Sequence, residues 1–194
     1  MPSIRRYLRH LWLSFTLLPG LASAHALEIH GSNTIGATLA PMLMTGFLQQ
    51  LTGNPVTARP TGTANETVLA TSYNGKPMTV LVAAHGTSTG FSALAADHAD
   101  IWAASRRVKG SEREAMATRA DLTSPASEHV IAIDGLAILV HPSNPVEQLN
   151  IDTLARVFAG EISNWSEVGG PDRPIRIYAR DEQSGTWDTF KELV

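Results

Sequence analysis

The 194-residue chain contains no cysteine, which excludes a disulfide framework and any thiolate metal site. Its 15 basic and 18 acidic residues leave a net charge of −3, a poor balance for nucleic acid or an anionic membrane surface as the main partner. An anionic small ligand stays open, because local hydrogen-bond donors can outweigh a weak global field.

Residues 1–24 read as a secretory signal peptide. Arg5, Arg6 and Arg9 make a basic start, Leu11–Leu18 is a short apolar run, and Pro19-Gly20 breaks it. Ala22-Ser23-Ala24 supplies small residues at the cleavage spacing, and cleavage after Ala26 also fits. The run is too short to span a bilayer. Arg5-Arg6 is a weak match to a twin-arginine signal, so general export is favoured. Its removal takes three basic residues and no acidic ones, deepening the net charge to −6 over 170 residues. That length suits one good core or two small ones.

Leu27–His30 alternates as a first strand and enters the hydroxyl-rich turn Gly31–Gly36. From Ala37 to Leu51, the apolar residues Leu39, Leu43, Phe47 and Leu51 recur every four positions, which predicts one buried helix face. Pro41 falls early in that helix, where its missing N–H costs little. Val56–Arg59 predicts a second strand, and residues 60–77 a turn-rich stretch with a helical piece around Asn65–Ser72. Met78–Ala84 is nearly continuous and apolar, as in a strand of a buried parallel sheet. It leads into His85–Gly90 and a helix from Phe91 to Ala96. Ala99–Ala104 predicts a strand that delivers Ser105-Arg106-Arg107, followed by a charged helix from Ser111 to Ala120.

Glu128–Ile133 and Leu136–Val140 predict two more strands, with Asp134-Gly135 between them as a hairpin turn or a hinge. Asn150-Ile151-Asp152 caps a helix with Leu154, Val157 and Phe158 on its face, ended by Gly160. Ile175–Tyr178 alternates as a strand, and Trp187–Leu193 follows as a helix. Alternating strand and helix predicts an α/β sheet with binding loops at strand ends. The chain stops within that last helix with no return strands. A lobe beginning near Leu136 is therefore expected to be incomplete, a copy of part of a longer protein.

Four strand-to-helix corners share one chemistry: Ser32-Asn33-Thr34, Thr87-Ser88-Thr89, Ser105-Arg106, and Arg180 with Ser184-Gly185-Thr186. Each offers hydroxyl or guanidinium donors beside free backbone N–H groups. Singly, each fits an ordinary helix cap. Together, along the carboxyl edge of a parallel sheet, they can converge as a ring of donors around a buried oxyanion. A buried anion needs that ring because hydrogen bonds must replace its water.

These stretches resemble the periplasmic phosphate-binding proteins, the substrate-binding subunits of phosphate ABC transporters. The resemblance covers nearly all of the chain beyond the signal peptide. It is carried by Gly31–Ile35, Gly86–Gly90, Ala99-Asp100-Ile101 with Ala104–Arg106, and Ile151 through Trp165. Most specific is Arg180 through Thr186, in the pattern Arg-x-x-x-Ser-Gly-Thr. It implies a two-lobed venus-flytrap fold, with residues 27–134 as the first lobe and 135–194 as a partial second. Phosphate would be clamped by Ser32, Thr34 and the N–H of Ile35, by Thr87 or Ser88, by the Ser105-Arg106 corner, and by Arg180, Ser184, the N–H of Gly185 and Thr186. Glu182 falls where the family often braces that Arg. The best-known members place an Asp after the Ser of the third corner to accept a proton from phosphate; here that position is Arg106, as in a known subgroup. The resemblance also implies a periplasmic monomer that docks on a membrane permease, with no cofactor, metal or covalent chemistry.

Two other classes compete. Gly86–Gly90 fits Gly-x-Ser-x-Gly, the nucleophile elbow of a serine hydrolase at Ser88, with Asp134 and His141 in the required order. Yet those two residues flank one strand, and the other corners go unexplained. His85, His98, His129 and His141 show no metal-ligand spacing. Trp102 and Trp165 suit core packing better than sugar stacking. Sulfate or molybdate is the close alternative to phosphate.

Overall fold

In the computed structural model, which describes residues 27–194, five strands form one mixed sheet in the order β2-β3-β4-β1-β5. The predicted signal peptide lies outside the described residues. Strand β1 (Leu27–Gly31), between β4 and β5, is followed by a single turn, α1 (Asn33–Gly36), and by α2 (Leu39–Thr52). Next come β2 (Thr57–Pro60), β3 (Glu66–Tyr73), β4 (Lys76–Ala83), α3 (Thr87–Ala95), β5 (Ile101–Ala103) and α4 (Gly110–Met116). The chain continues to α5 (Ile151–Phe158), a 3-10 turn at Trp165–Val168, and α6 (Gly185–Leu193).

The sheet is only half parallel, a correction to the parallel expectation. β1 runs parallel to β4 and to β5, whereas β2, β3 and β4 form an antiparallel meander. The helical piece expected at Asn65–Ser72 is strand β3 instead. Its Thr67, Val68, Thr71 and Tyr73 favour a pleated surface, and Asn74-Gly75 closes a two-residue hairpin with Tyr73 opposite Lys76. Both turn residues take positive φ, 51° and 74°, as that hairpin requires.

Ile29, Leu48, Leu69, Val80, Val82 and Ala103 form the core, with Leu48, Leu69 and Val80 fully buried. Burying such a side chain is worth roughly 1.5–3 kcal/mol. Helix α2 turns a different face inward from the predicted one. Ala40 and Leu48 are buried, while Leu39, Leu43, Phe47 and Leu51 are 37–53% exposed. The segment is apolar on adjacent faces, so two rows satisfy the helical period, and the row beginning with small Ala40 takes the sheet side.

Glu128–Ile133, Leu136–Val140 and Ile175–Tyr178 do not form strands, a further correction. Among the described residues no strand lies beside them to accept a ladder, and an extended segment without one leaves its backbone to water. Ile133 is 97% and Leu139 89% exposed. A second small core forms farther on. Val157, Ile162 and Phe190 are buried, and the Phe158 and Phe190 rings lie 4.5 Å apart between α5 and α6. Asn150 caps α5 by accepting the Thr153 N–H at 2.7 Å, and Gly160 closes it at φ 80°.

Candidate functional site

Strands β1, β4 and β5 point the same way, so their carboxyl ends deliver three corners to one edge of the sheet. The first corner is tied to its neighbours through backbone. The Ser32 N–H donates to the Ala103 carbonyl at 2.7 Å, and the Gly86 N–H donates to the Gly31 carbonyl at 2.8 Å. Gly31, at φ 145°, also passes so close to the Ala103 carbonyl that a side chain there would collide with it. Ser32 is buried, and its hydroxyl caps α1 by accepting the Thr34 N–H. Thr34 is exposed and Ile35 half-buried.

The second and third corners meet side chain to side chain. Thr87 is fully buried; its hydroxyl lies 3.1 Å from the Ser105 hydroxyl and accepts the Ser105 N–H at 3.3 Å. Trp102 fixes the Thr87 carbonyl from below with an indole N–H at 2.7 Å.

The fourth corner comes to the same place from far along the chain. The Ser88 N–H donates to the Gln183 carbonyl at 3.4 Å. Gly185 packs so tightly on Thr87 and Ser105 that a methyl group there would collide with both hydroxyls. Ser184 is buried and caps α6 by accepting the Trp187 N–H at 3.3 Å. Thr87, Ser88, Ser105, Gly185 and Arg106 are thus brought together, beside the start of the nine-residue helix α6 and its partial positive charge.

Two expected arrangements differ. Arg180 lies on the surface, its side chain 47% exposed, 3.7 Å from Asp181. Glu182 does not brace it; its carboxylate reaches forward along α6 to the Trp187 indole at 3.0 Å and the Lys191 ammonium at 2.9 Å. A residue just ahead of a helix faces the first turn of that helix more readily than the chain behind it. These bonds, from Lys191 first and then Trp187, hold the Glu182 carboxyl below its ordinary value.

The buried cation of the site is Arg106, whose side chain is 5% exposed. It forks onto Glu112 at 2.7 and 2.8 Å and reaches Asp188 at 2.9 Å. Burial works to raise the Asp188 carboxyl, but hydrogen bonds from Lys109 and Arg106 outweigh it and hold it below the ordinary range. Glu112 is lowered in the same way, with burial opposed by Arg106 and the Lys109 N–H. Burial tends to lower the Arg106 guanidinium; Glu112 and Asp188 more than reverse this and raise it. The sequence gives no sign of this network, since a lone Asp in a first helical turn reads only as dipole complement.

The hydrolase arrangement does not assemble. The Ser88 hydroxyl accepts from Arg106 at 3.3 Å, His141 bonds Ser143, and Asp134 accepts the N–H of Gly135. A groove of about 470 Å³, lined by Gly36, Ala37, Pro60, Asn65 and Thr67, lies against α1 and the β2–β3 loop, with Thr87, Ser88, Ser105 and Gly185 outside its lining. No helix among the described residues is long and apolar enough to cross a membrane.

Comparisons with known proteins place the chain among related folds. A family model described as a PBP superfamily domain matches residues 33–194. A phosphate-binding protein PstS of Borreliella burgdorferi is 35% identical over 77 residues, 40% of this chain and 28% of that protein. Protein SphX of Synechococcus elongatus is 34% identical over 125 residues, 61% of this chain and 36% of its own length. Among solved structures, one from Clostridium perfringens, described as a phosphate ABC transporter substrate-binding protein with bound phosphate, superposes with a TM-score of 0.62 at 26% identity. An ABC-type phosphate transport receptor from Vibrio cholerae superposes with a TM-score of 0.58 at 28% identity. Each of these two matches covers 86% of this chain and 54% of the other. The chain therefore spans about half the length of these structures, and its matches span about a third or less of the curated relatives.

Proposed function

Because the chain belongs to the PBP superfamily, we propose that it binds inorganic phosphate at the converged corners and carries it, in the periplasm, to the membrane permease of an ABC transporter. One observation carries the proposal: the N-terminus of α6 packs on Thr87 and Ser105, 80 residues or more away in the chain. Corners that meet so closely admit an anion only when they part, so binding requires α6 to swing away from the sheet edge and return.

The donors are then those of the corners. The N–H groups of Gly185 and Thr186 start α6, and a helix start favours an anion. The Thr186 hydroxyl joins them on α6, and those of Thr87, Ser88 and Ser105 from the facing side, with Ser32, Thr34 and the Ile35 N–H beyond them. Ser184 sets the donor geometry by capping α6. Arg180 supplies the charge by turning in from the surface, a rotation its half-exposed side chain permits. The proposed role is capture and delivery without bond-making, in keeping with a Ser88 hydroxyl that faces Arg106 and no histidine among its hydrogen-bond partners in the described residues. The two expected lobes, divided near Asp134-Gly135, are the bodies that would open and close, and the chain would act as a monomer.

Isothermal titration of the full chain with phosphate, sulfate and molybdate tests this. Phosphate is expected to bind more tightly than the other two. Preference for sulfate or molybdate would transfer the site to another oxyanion, and binding of none would end the proposal. Arg180→Ala is expected to weaken phosphate binding by about 10- to 150-fold, the worth of one charge-assisted hydrogen bond.

A further inference from the structure

Arg106 has five N–H donors, and every one is used inside the protein. Nε donates to Asp188 at 2.9 Å. One terminal nitrogen donates to Glu112 at 2.8 Å and to the Arg107 carbonyl at 3.0 Å. The other donates to Glu112 at 2.7 Å and to the Ser88 hydroxyl at 3.3 Å. The guanidinium also stands 5.7 Å from the centre of the Trp102 ring. No donor remains for a guest.

Its charge is balanced as well. Arg106 and Lys109 face Glu112 and Asp188, two cations against two carboxylates. Asp188 is the member from α6, and its side chain is 9% exposed. It takes Arg106 at 2.9 Å and the Lys109 ammonium at 2.8 Å, with Lys191 of its own helix 3.7 Å away. Among the described residues, every ion pair that joins the sheet to α6 passes through this one carboxylate. The hydrogen bonds that make the same join come from residues 183–188.

We propose that Arg106 is a latch and not an anion ligand: through Asp188 it clamps the first turn of α6 onto the corners of α3 and β5, and so sets how readily that turn lifts. The latch concerns the closing contact, whichever anion enters, and so goes beyond the phosphate proposal. Glu112 holds the guanidinium from the sheet side, and Asp188 is the part that must let go. A buried pair broken at one partner leaves the other charge uncompensated, so loss of Asp188 is costly to closure.

Hydrogen exchange read by mass spectrometry on the full chain, with no added anion, tests the latch separately from phosphate binding. Asp188→Asn is expected to speed exchange in residues 184–190 about tenfold or more and to leave β1 and β4 unchanged. Asp188→Glu keeps the charge and is expected to recover most of the protection. Unchanged exchange in 184–190 overturns the proposal. Equal acceleration in β1 and β4 also overturns it, since the network would then hold the whole fold. Should Asp188→Asn not fold, Lys109→Ala decides, because that side chain is half-exposed. A rise of a few-fold confined to α6 supports the latch, and no rise overturns it.

Discussion

Gly185 shows how much one residue can decide. The first position of a helix accepts alanine readily, so propensity alone would make Gly185→Ala harmless. Here the added methyl would press on the Thr87 and Ser105 hydroxyls, which already lie 3.1 Å apart in a buried pair. Gly185→Ala is therefore expected to lift the first turn of α6, read as faster cleavage near Gln183 by a nonspecific protease, while the urea midpoint of the sheet stays put. Leu48 is the opposite case, a residue whose work is bulk. It is fully buried under the sheet, and Leu48→Ala is expected to cost about 2–5 kcal/mol in urea denaturation. The hydroxyl-rich ends of β1, β4 and β5 were legible in the sequence, because strand ends rich in Ser, Thr and Gly announce donors, whereas the strand expected before Ser184 does not form and Arg180 stays on the surface. That Ser32 and Ser184 spend their hydroxyls as helix caps was equally open to either use. The engagement of Arg106 with Asp188 was not legible, since nothing in local spacing connects residues 82 positions apart.

Elements decide how the corners are held. The β3–β4 hairpin turns on Asn74-Gly75, a two-residue signal that outweighs the helical look of residues 65–72. Helix α6 is fastened differently, by charge at its first turn and by Phe158 and Trp187 around Phe190 farther on. The carboxyls of Glu112 and Asp188 are both held below their ordinary values. Groups lowered in this way give stabilisation that is complete above their unfolded values, about pH 4, and lost as pH falls through the lowered ones. The urea midpoint is therefore expected to hold from pH 7 to pH 5 and to fall below about pH 4. Glu112→Gln should start lower and fall less, and a variant as steep as the parent would count against the assignment.

At the scale of the whole molecule, the sheet unit is closed on its core while other apolar surface stays open. Leu39, Met42, Leu43 and Phe47 stand out from α2, and Val130, Ile133 and Leu139 from the segment beyond α4. Exposed apolar surface of that extent binds hydrophobic dyes. The folded chain is expected to enhance ANS fluorescence in native buffer, and Phe47→Ser to reduce it without lowering the urea midpoint. The sequence by itself determined the alternation of strand and helix, the hydroxyl-rich corners and the absence of thiol chemistry, because periodicity and residue chemistry are local. It also overreached locally, reading strands at 128–133 and 136–140 where apolar alternation meets no neighbouring strand. Only the tertiary structure decided which face of α2 turns inward, that three parallel strands bring their corners to one edge, and that Asp188 fastens α6 to Arg106. Each of those depends on what lies across a gap in space, and a linear pattern carries no information about its partner.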